Sequence, residues 1–199
     1  MNKAFARLVA HIQGDGLLQF RKNKELFYYN KEMSLIKQFR KDLKSEYGID
    51  AWRPTWHQTE FVTGTAIVKV VREFLKFSDK KRVPQQILIS SKPVKREYLR
   101  AIFDDEGTAN LFDAFDKRRN NYNKIRRVKL YCKYSSFLLG IKSMLREFDV
   151  DAKINGPYNG AYELVIMKKE NLKRFYLRVG FNLSRKDKIL ANIIKSYNS

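Results

Sequence analysis

Two acidic residues, Asp15 and Glu106, each stand where a helical pattern ends, and each precedes a glycine. A carboxylate at a helix C-terminus is disfavoured, because the last carbonyl groups already carry partial negative charge. A bound divalent cation would reverse the local sign and offset that cost. The two acids are therefore candidates for a metal site.

Each acid closes a nine-residue segment of the same plan. The first segment is LVAHIQGDG, from Leu8 to Gly16, and the second is LRAIFDDEG, from Leu99 to Gly107. Both begin with Leu, carry Ala at the third position and end in an acid followed by Gly. One such segment is compatible with an ordinary amphipathic helix end, but two of them point to an internal repeat.

The rest of the chain supports that repeat. Apolar spacing predicts helices over residues 3–14, 34–47, 66–77, 93–105, 135–148, 169–179 and 184–194, with strand pairs between them. Three short segments recur roughly 100 residues later: Ser34–Ile36 as Ser136–Leu138, Ile49–Ala51 as Val150–Ala152, and Glu60–Val62 as Glu163–Val165. Asp15 and Glu106 are closer together in sequence than the members of these recurring pairs. The second half therefore has about eleven more residues between its acid and its first recurring segment, so its first hairpin is longer. We predict an N-terminal repeat over 1–78, a linker over 79–92 and a C-terminal repeat over 93–199.

With these two segments and this order of elements, the chain resembles the LAGLIDADG homing endonucleases, in their single-chain, two-repeat, archaeal intron-encoded form. The resemblance implies an α/β (α+β) fold of two pseudo-symmetric αββαββα repeats, with saddle-like antiparallel sheets and paired motif helices at the centre. Small residues permit the helices to approach closely, and Ala10, Gly14 and Ala101 meet that need. Asp105 departs from the usual small residue, which leaves open how tightly the second helix packs and where Asp105 points.

The resemblance also implies a mechanism. Asp15 and Glu106 would hold Mg²⁺, as two or three ions, with the carbonyls of Gly14 and Asp105 as further ligands, since Mg²⁺ prefers oxygen. Both strands of double-stranded DNA would be hydrolysed to give a staggered break. In relatives a polar residue and a Lys end the second strand, where this chain has Asn30 and Lys31, and Cys132 and Lys133 in the second half. Asn30, Lys31 and Lys133 are therefore candidates for polarising phosphate or positioning water.

The charge of the chain fits a polyanionic partner. Lys and Arg number 41 against 21 Asp and Glu, a formal net charge of +20 spread along the chain. No apolar run approaches the roughly 20 residues needed to span a bilayer, so we expect no membrane association. The single cysteine excludes an internal disulfide and, with the absence of a secretory signal, predicts an intracellular location. The family resemblance implies an archaeal source.

The strand pairs are the expected reading surface, because a two-stranded ribbon fits the major groove. A loop over 117–124, rich in Arg and Asn, is expected to reach the DNA. Which side chains meet bases and which meet phosphates is not fixed by the sequence. The candidate DNA-binding residues are Gln19, Arg21, Lys22, Lys24, Arg53, Gln58, Arg118, Arg119, Arg126, Arg127, Lys129 and Lys153.

Two alternatives use the same scaffold. One is an RNA maturase that binds intron RNA, and the other is a non-catalytic DNA-binding protein. Both acids are intact, which favours cleavage over either alternative. The unequal halves favour a monomer acting on a long asymmetric site. His11, inside the first motif helix, is expected to serve packing more than catalysis.

Overall fold

Within the described ranges, helices and antiparallel strands alternate in the order that the hydrophobic pattern predicts, while the predicted helix over 66–77 lies outside the described residues. The computed structural model describes residues 1–20, 24–51, 61–65 and 79–197. Its contacts divide the chain into two units, Met1–Glu106 and Gly107–Ser199. Sheets built from antiparallel neighbours and covered by amphipathic helices confirm the predicted α/β (α+β) class.

Unit 1 holds a three-stranded sheet and the helices that cover it. The sheet has the order β1-β2-β3. Its core is formed by fully buried side chains of α1, β2 and α2, among them Leu8, Tyr28 and Phe39. The elements are α1 Lys3–Gln13, β1 Gly16–Phe20, β2 Lys24–Asn30, α2 Met33–Tyr47, β3 Phe61–Thr65, α3 Gln85–Leu88 and α4 Lys92–Glu106.

The two motif helices, α1 and α4, pack against each other within unit 1. Ala10 and Ala101 are both buried, as expected of small residues at a close helix contact. Although α4 opens the second sequence repeat, its packing on α1 groups it with the first unit. The predicted linker, residues 79–92, contains the one-turn helix α3.

Unit 2 contains a four-stranded antiparallel sheet with the order β4-β5-β7-β6. Helices cover one face, where Val128, Leu130, Leu164 and Ile166 are buried. The elements are β4 Gly107–Asp116, β5 Asn121–Cys132, α5 Ser135–Glu147, β6 Lys153–Tyr158, β7 Ala161–Ile166, α6 Lys169–Arg178 and α7 Ser184–Lys195.

The first hairpin of unit 2 is the longer one, as predicted. Its strands have 10 and 12 residues, against 5 and 7 in β1 and β2. The expected loop over 117–124 is wrong in its second half, because residues 121–124 pair with 113–116 and only 117–120 form the turn. Polar side chains suit such a ribbon when it is exposed to solvent, so their polarity alone does not indicate a loop.

The last hairpin holds two segments whose residues are typical of turns. Asn155-Gly156-Pro157 predicts a turn, but these residues lie in β6, with a register shift between Asn155 and Tyr158. The chain reverses at Asn159 and Gly160, which both have positive φ. An Asn-Gly pair is the stronger hairpin signal, because both central residues of a type I′ turn need positive φ.

None of the helices within the described ranges is both long and apolar enough to cross a membrane.

Candidate functional site

Asp15 lies just beyond the C-cap residue Gly14 of α1, and residues of β2 hold it. The Asn30 side-chain nitrogen donates to Asp15 Oδ2 over 2.8 Å. The Tyr29 backbone N–H donates to the Asp15 carbonyl over 3.3 Å. The end of β2 thus fixes both the backbone and the carboxylate of Asp15.

The carboxylate of Asp15 lies in an environment that disfavours its charge. Burial, followed by the nearby charges of Asp105 and Glu106, raises the pKa of Asp15 to about 6, against the opposing effects of Asn30 and Lys80. The charges of two further acids therefore act on Asp15 at the ends of the motif helices. A bound cation would stabilise the negative charge of these acids. A raised carboxylate pKa in the absence of the ion is therefore expected of an acidic site that binds metal.

Asp105 is the most enclosed of the three acids. Its side chain is 0% exposed, and that of His11 is 2% exposed. His11 Nδ1 lies 2.9 Å from Asp105 Oδ2, and the Tyr28 hydroxyl donates to Asp105 Oδ1 over 2.6 Å. Burial acts to lower the pKa of His11, but the charge and hydrogen bond of Asp105 outweigh it, so that this pKa is raised. Burial and the same carboxylate raise the pKa of Tyr28, which keeps its proton.

Gly14 makes the space that Asp105 occupies. A Cβ built on Gly14 would stand 2.7 Å from Asp105 Oδ2 and 2.9 Å from Asp105 Cβ. Asp105 therefore points towards α1. The glycine on that helix accommodates the large side chain on α4, so the two motif helices still pack closely.

We expect Gly14→Ala to destabilise unit 1 by about 1–3 kcal/mol, because the added methyl overlaps Asp105 and forces a shift of α4. Equilibrium denaturation by urea measures the change. Gly48→Ala serves for comparison, since a Cβ there meets no atom within 4 Å and only the positive φ of 67° opposes it. A Gly14→Ala variant as stable as the parent would contradict this account of the helix contact.

A lysine from the segment before α3 reaches the same helix end. Lys80 Nζ donates to the Gly14 carbonyl over 2.7 Å. Gln13 holds this segment, since its side-chain nitrogen donates to the carbonyls of Asp79 and Arg82 over 3.1 and 3.0 Å. The Tyr98 hydroxyl on α4 donates to Gln13 Oε1 over 2.5 Å, which fixes the Gln13 amide.

The other predicted catalytic residues lie at strand and helix ends. Glu106 is the exposed last residue of α4, and Lys31 is exposed between β2 and α2. Lys133 is exposed after β5 in unit 2, next to Cys132, whose sulfur accepts from the Tyr134 N–H over 3.4 Å. Among the candidates Asn30, Lys31 and Lys133, it is Asn30 that contacts Asp15.

A resident metal cage of side chains is absent from the described part of the chain. There, no three His, Cys, Asp or Glu residues are grouped so that they could hold an ion by themselves. Asp15 and Glu106 nevertheless place two carboxylates, which are hard oxygen donors, at the ends of the packed helices, and the charge of Glu106 acts on Asp15. Such a set fits Mg²⁺, which commonly takes one or two carboxylates and completes its shell with water and phosphate.

The predicted DNA-binding residues fall into three groups. Arg21, Lys22, Arg53 and Gln58 lie outside the described residues. Gln19 and Lys24 lie in the paired strands β1 and β2. The others are in unit 2, where Arg118 and Arg119 are exposed in the β4–β5 turn and Lys153 is exposed on β6.

The strand register sorts the unit 2 residues by face. Thr108 and Val165 flank Lys129, and Asn110 flanks Arg127, on the face opposite Val128 and Leu130. Val165 and Lys129 are buried on this face as well. We call this face the open face of the unit 2 sheet; its residues are Thr108, Asn110, Phe112, Arg127, Lys129, Tyr131, Lys153, Asn155, Glu163 and Val165. Arg127 lies over the Phe112 ring at 5.8 Å.

Arg126 lies on the other face, because neighbouring strand residues alternate. Its guanidinium donates to the hydroxyl and carbonyl of Ser196 over 2.8 and 2.7 Å, and it lies 4.4 Å from the Tyr197 ring. We therefore leave Arg126 out of the candidate DNA surface. Lys129 stays on the open face but is already paired, with Glu163 at 2.5 Å.

Sequence reasoning missed three residues of the site. Tyr28 reads as an ordinary strand aromatic, Lys80 lies within a cluster of basic residues, and His11 was assigned to packing. Alternation in β2 offered a signal for Tyr28, because it shares a face with Asn30. Nothing in the sequence singles out Lys80, since its placement depends on the fold around Gln13.

A comparison with known protein families supports the resemblance that the sequence predicts. The model described as LAGLIDADG-like domain matches residues 93–180. The chain carries a LAGLIDADG-like domain. This match includes the second nine-residue segment, Leu99–Gly107, and confirms the predicted resemblance to LAGLIDADG proteins.

Solved structures match the chain along most of its length. I-DmoI in complex with DNA and Ca has a TM-score of 0.67 and 17% identity, covering 96% of this chain and 97% of its own. I-DmoI in complex with DNA and Mn has a TM-score of 0.65 and 18% identity, covering 89% and 96%. The N-terminal LAGLIDADG domain of DUF199/WhiA has a TM-score of 0.56 and 13% identity, covering 94% and 86%. At such identities the likeness shows the LAGLIDADG fold.

Curated relatives resemble the chain only within much longer proteins. They include tRNA-splicing ligase RtcB of Methanopyrus kandleri, 26% identical over 111 residues, which are 54% of this chain and 11% of the ligase. DNA-directed RNA polymerase subunit Rpo1N of Methanocaldococcus jannaschii is 24% identical over 230 residues, 96% of this chain and 17% of the subunit. A probable translation initiation factor IF-2 of Thermococcus kodakarensis is 26% identical over 150 residues, 72% and 12%. The LAGLIDADG chain thus spans less than a fifth of each of these relatives.

Proposed function

We propose that the chain is a site-specific endonuclease that hydrolyses both strands of a long double-stranded DNA site with the help of a divalent metal, preferably Mg²⁺. The observation that carries this proposal is the position of Asp15 and Glu106 at the ends of two packed helices, where burial and the charges of Asp105 and Glu106 raise the pKa of Asp15 to about 6. I-DmoI, which has the same fold, is named as a homing endonuclease and as bound to DNA with Mn or Ca.

The residues of the site have separable tasks. Asp15, Glu106 and the Asp105 carbonyl would hold the metal, which when bound would polarise phosphate and acidify water. The Gly14 carbonyl would join them once Lys80, which donates to it, moves to a phosphate oxygen. Asn30 orients the Asp15 carboxylate. Lys80 stands at the Gly14 carbonyl, 2.7 Å away, from where its ammonium group can bind a phosphate oxygen. Lys31 and Lys133 are further candidates for phosphate contact.

The relatives support a genetically mobile role. A ligase, a polymerase subunit and a translation factor have unrelated tasks, yet each contains a segment similar to this chain. A module found in unrelated hosts is expected of an element that spreads by cutting a target site. Intron homing is the form of this proposal that the sequence resemblance suggests, with the chain acting as a monomer.

The function is tested in two steps with one duplex pool. Duplexes that bind the chain without added metal are first enriched, and Mg²⁺ is then added and the new DNA ends are sequenced. We expect staggered ends on both strands at one sequence. Bound duplexes that stay intact in Mg²⁺ and in Mn²⁺ would favour the non-catalytic DNA-binding alternative. Binding to intron RNA without duplex cleavage would favour the maturase alternative.

The open face of the unit 2 sheet is the proposed DNA surface in this half of the chain. We expect Arg127→Ala to weaken duplex binding about 5- to 10-fold and to reduce its salt dependence, because a cation that contacts DNA is lost. Fluorescence anisotropy at several salt concentrations measures both changes. The neighbouring Arg126→Ala is the matched control, since Arg126 binds Ser196 on the other face. Equal losses from both variants would contradict the proposed face.

A further inference from the structure

A fully buried carboxylate stands behind the candidate metal site without facing solvent. Asp105 Oδ2 is bonded to His11, and Asp105 Oδ1 accepts from the Tyr28 hydroxyl over 2.6 Å. With its side chain 0% exposed, Asp105 has no free approach for a hydrated ion. The carboxylate therefore needs a role other than direct contact with metal or DNA.

Asn30 connects this buried group to Asp15. Its side-chain nitrogen lies 2.8 Å from Asp15 Oδ2, 3.2 Å from the Tyr28 hydroxyl and 3.5 Å from Asp105 Oδ1. Its side-chain oxygen accepts from the Glu32 backbone N–H over 2.9 Å. The amide is thus fixed at both ends, and its two N–H groups face Asp15 on one side and the Tyr28–Asp105 pair on the other.

The direction of these hydrogen bonds follows from the number of protons. Tyr28 has one hydroxyl proton, which it donates to Asp105 Oδ1. Once Tyr28 donates to Asp105, its oxygen is left as an acceptor towards Asn30. The second N–H of Asn30 then has a partner, and the first stays aimed at Asp15.

We propose that Asp105 is a positioning residue, whose buried carboxylate acts through Tyr28 and Asn30 to hold the Asp15 carboxylate in the orientation that binds a divalent cation. This inference rests on the proposed function for the identity of the cation site. It assigns Asp105, His11 and Tyr28 a joint task. His11 satisfies one oxygen of Asp105, which leaves the other oxygen for Tyr28.

The arrangement accounts for the departure of Asp105 from the small residue expected at its position. A small residue there would leave Tyr28 free to donate towards Asn30, and two donors would then face each other. Asn30 would lose a partner for its second N–H, and Asp15 would lose a fixed donor. Outer residues that orient a metal ligand commonly change metal affinity by 10-fold or more when they are replaced.

Tyr28→Phe is the variant that removes the connection with the least disturbance. It deletes one hydroxyl and keeps the ring, which stacks on Phe39 with ring centres 4.7 Å apart. Asp105→Asn is the second variant, since it keeps the side-chain volume beside Gly14 and removes the charge. Asp42→Asn is the control, because Asp42 is also buried and bonded to Arg7, but has no contact with Asn30 or Asp15 in the described structure.

The experiment uses the full chain without DNA and Mn²⁺ as the probe. Nuclear magnetic resonance follows the side-chain amide signals of Asn30, assigned by their loss in Asn30→Ser, while Mn²⁺ is added. We expect the parent signals to broaden, and we expect Tyr28→Phe and Asp105→Asn each to shift these signals and to require about 10-fold more Mn²⁺. The double variant is expected to behave like either single one, because both act through one chain of contacts. Asp42→Asn should lose stability and keep the parent midpoint within twofold.

Failure of this inference is separable from failure of the proposed function. If the parent binds Mn²⁺ near Asn30 and both variants match its midpoint, the positioning role of Asp105 is wrong and the metal site stands. If Asp42→Asn changes the midpoint as much as they do, the effect is general destabilisation, and the positioning role is again wrong. If the parent signals do not broaden at any Mn²⁺ concentration, the metal site fails, and the inference fails with it.

Discussion

Replacing Asp15 by asparagine is expected to abolish DNA cleavage, by at least about 1000-fold, and to leave duplex binding intact. The substitution removes one charged ligand, and a metal contributes several kcal/mol to the stabilisation of phosphate charge in hydrolysis. The side-chain oxygen of asparagine can still accept the hydrogen bond that Asn30 donates over 2.8 Å. Single-turnover cleavage and anisotropy with the same duplex separate the two effects.

The same variant is expected to stabilise the metal-free protein. The pKa of Asp15 is raised from 3.8 to about 6 in the folded chain. Between these two values the folded state binds more protons than the unfolded state, so the free energy of unfolding falls as the pH rises through this window. Above pH 6 the cost is fully present. After allowance for solvent screening of a part-exposed group it is about 1 kcal/mol, or about 2–4 °C in Tm.

Thermal unfolding at two pH values therefore provides a control within one experiment. Asp15→Asn should exceed the parent in Tm at pH 7.5, and the difference should vanish near pH 4. Asp50→Asn changes an exposed acid that pairs with Lys44 and should alter neither cleavage nor this difference. Cleavage by Asp15→Asn within tenfold of the parent would remove Asp15 from the metal site.

Local sequence patterns predict much of this architecture. The apolar spacing of α1, α2 and α5 and the nine-residue segments predict the elements and their order, because helix and strand periods are properties of the sequence alone. The repeat also predicts that the first hairpin of unit 2 is the longer one. The place of a turn is less certain, as Asn159-Gly160 shows: Gly156-Pro157 offered a competing signal nearby, and both pairs are typical of turns.

The contacts of the site depend on residues distant in sequence, which no local pattern relates. Asp105 and His11 are each unusual within their helices, and only the packing of α1 on α4 reveals that they pair. Likewise, Lys80 reaches Gly14 because Gln13 and Tyr98 hold its segment. The sequence predicts the acids because their helix-end position is local. It does not predict the groups that hold them, since these meet only in the folded chain.

The His11–Asp105 pair leads to the second large effect, on stability. We expect His11→Leu to lower the free energy of unfolding by about 3–5 kcal/mol, because it leaves a buried carboxylate without the partner that balances its charge. Leucine keeps an apolar side chain between Tyr28 and Phe39, whose rings lie 4.8 and 6.1 Å from that of His11. Loss of packing alone therefore explains only part of such a change. Urea denaturation at neutral pH measures it.

Two further variants separate the charge from the packing. His11→Gln keeps a hydrogen-bond donor in reach of Asp105 and should cost less than His11→Leu. Combining His11→Leu with Asp105→Ala removes the stranded carboxylate, so the double variant should be more stable than the sum of the two single changes predicts, by about 1–3 kcal/mol. Additive losses, or a cost of His11→Leu below about 1 kcal/mol, would mean that His11 serves packing alone. The motif helices would then be joined by their small residues, and the buried acid would depend on Tyr28 for its stabilisation.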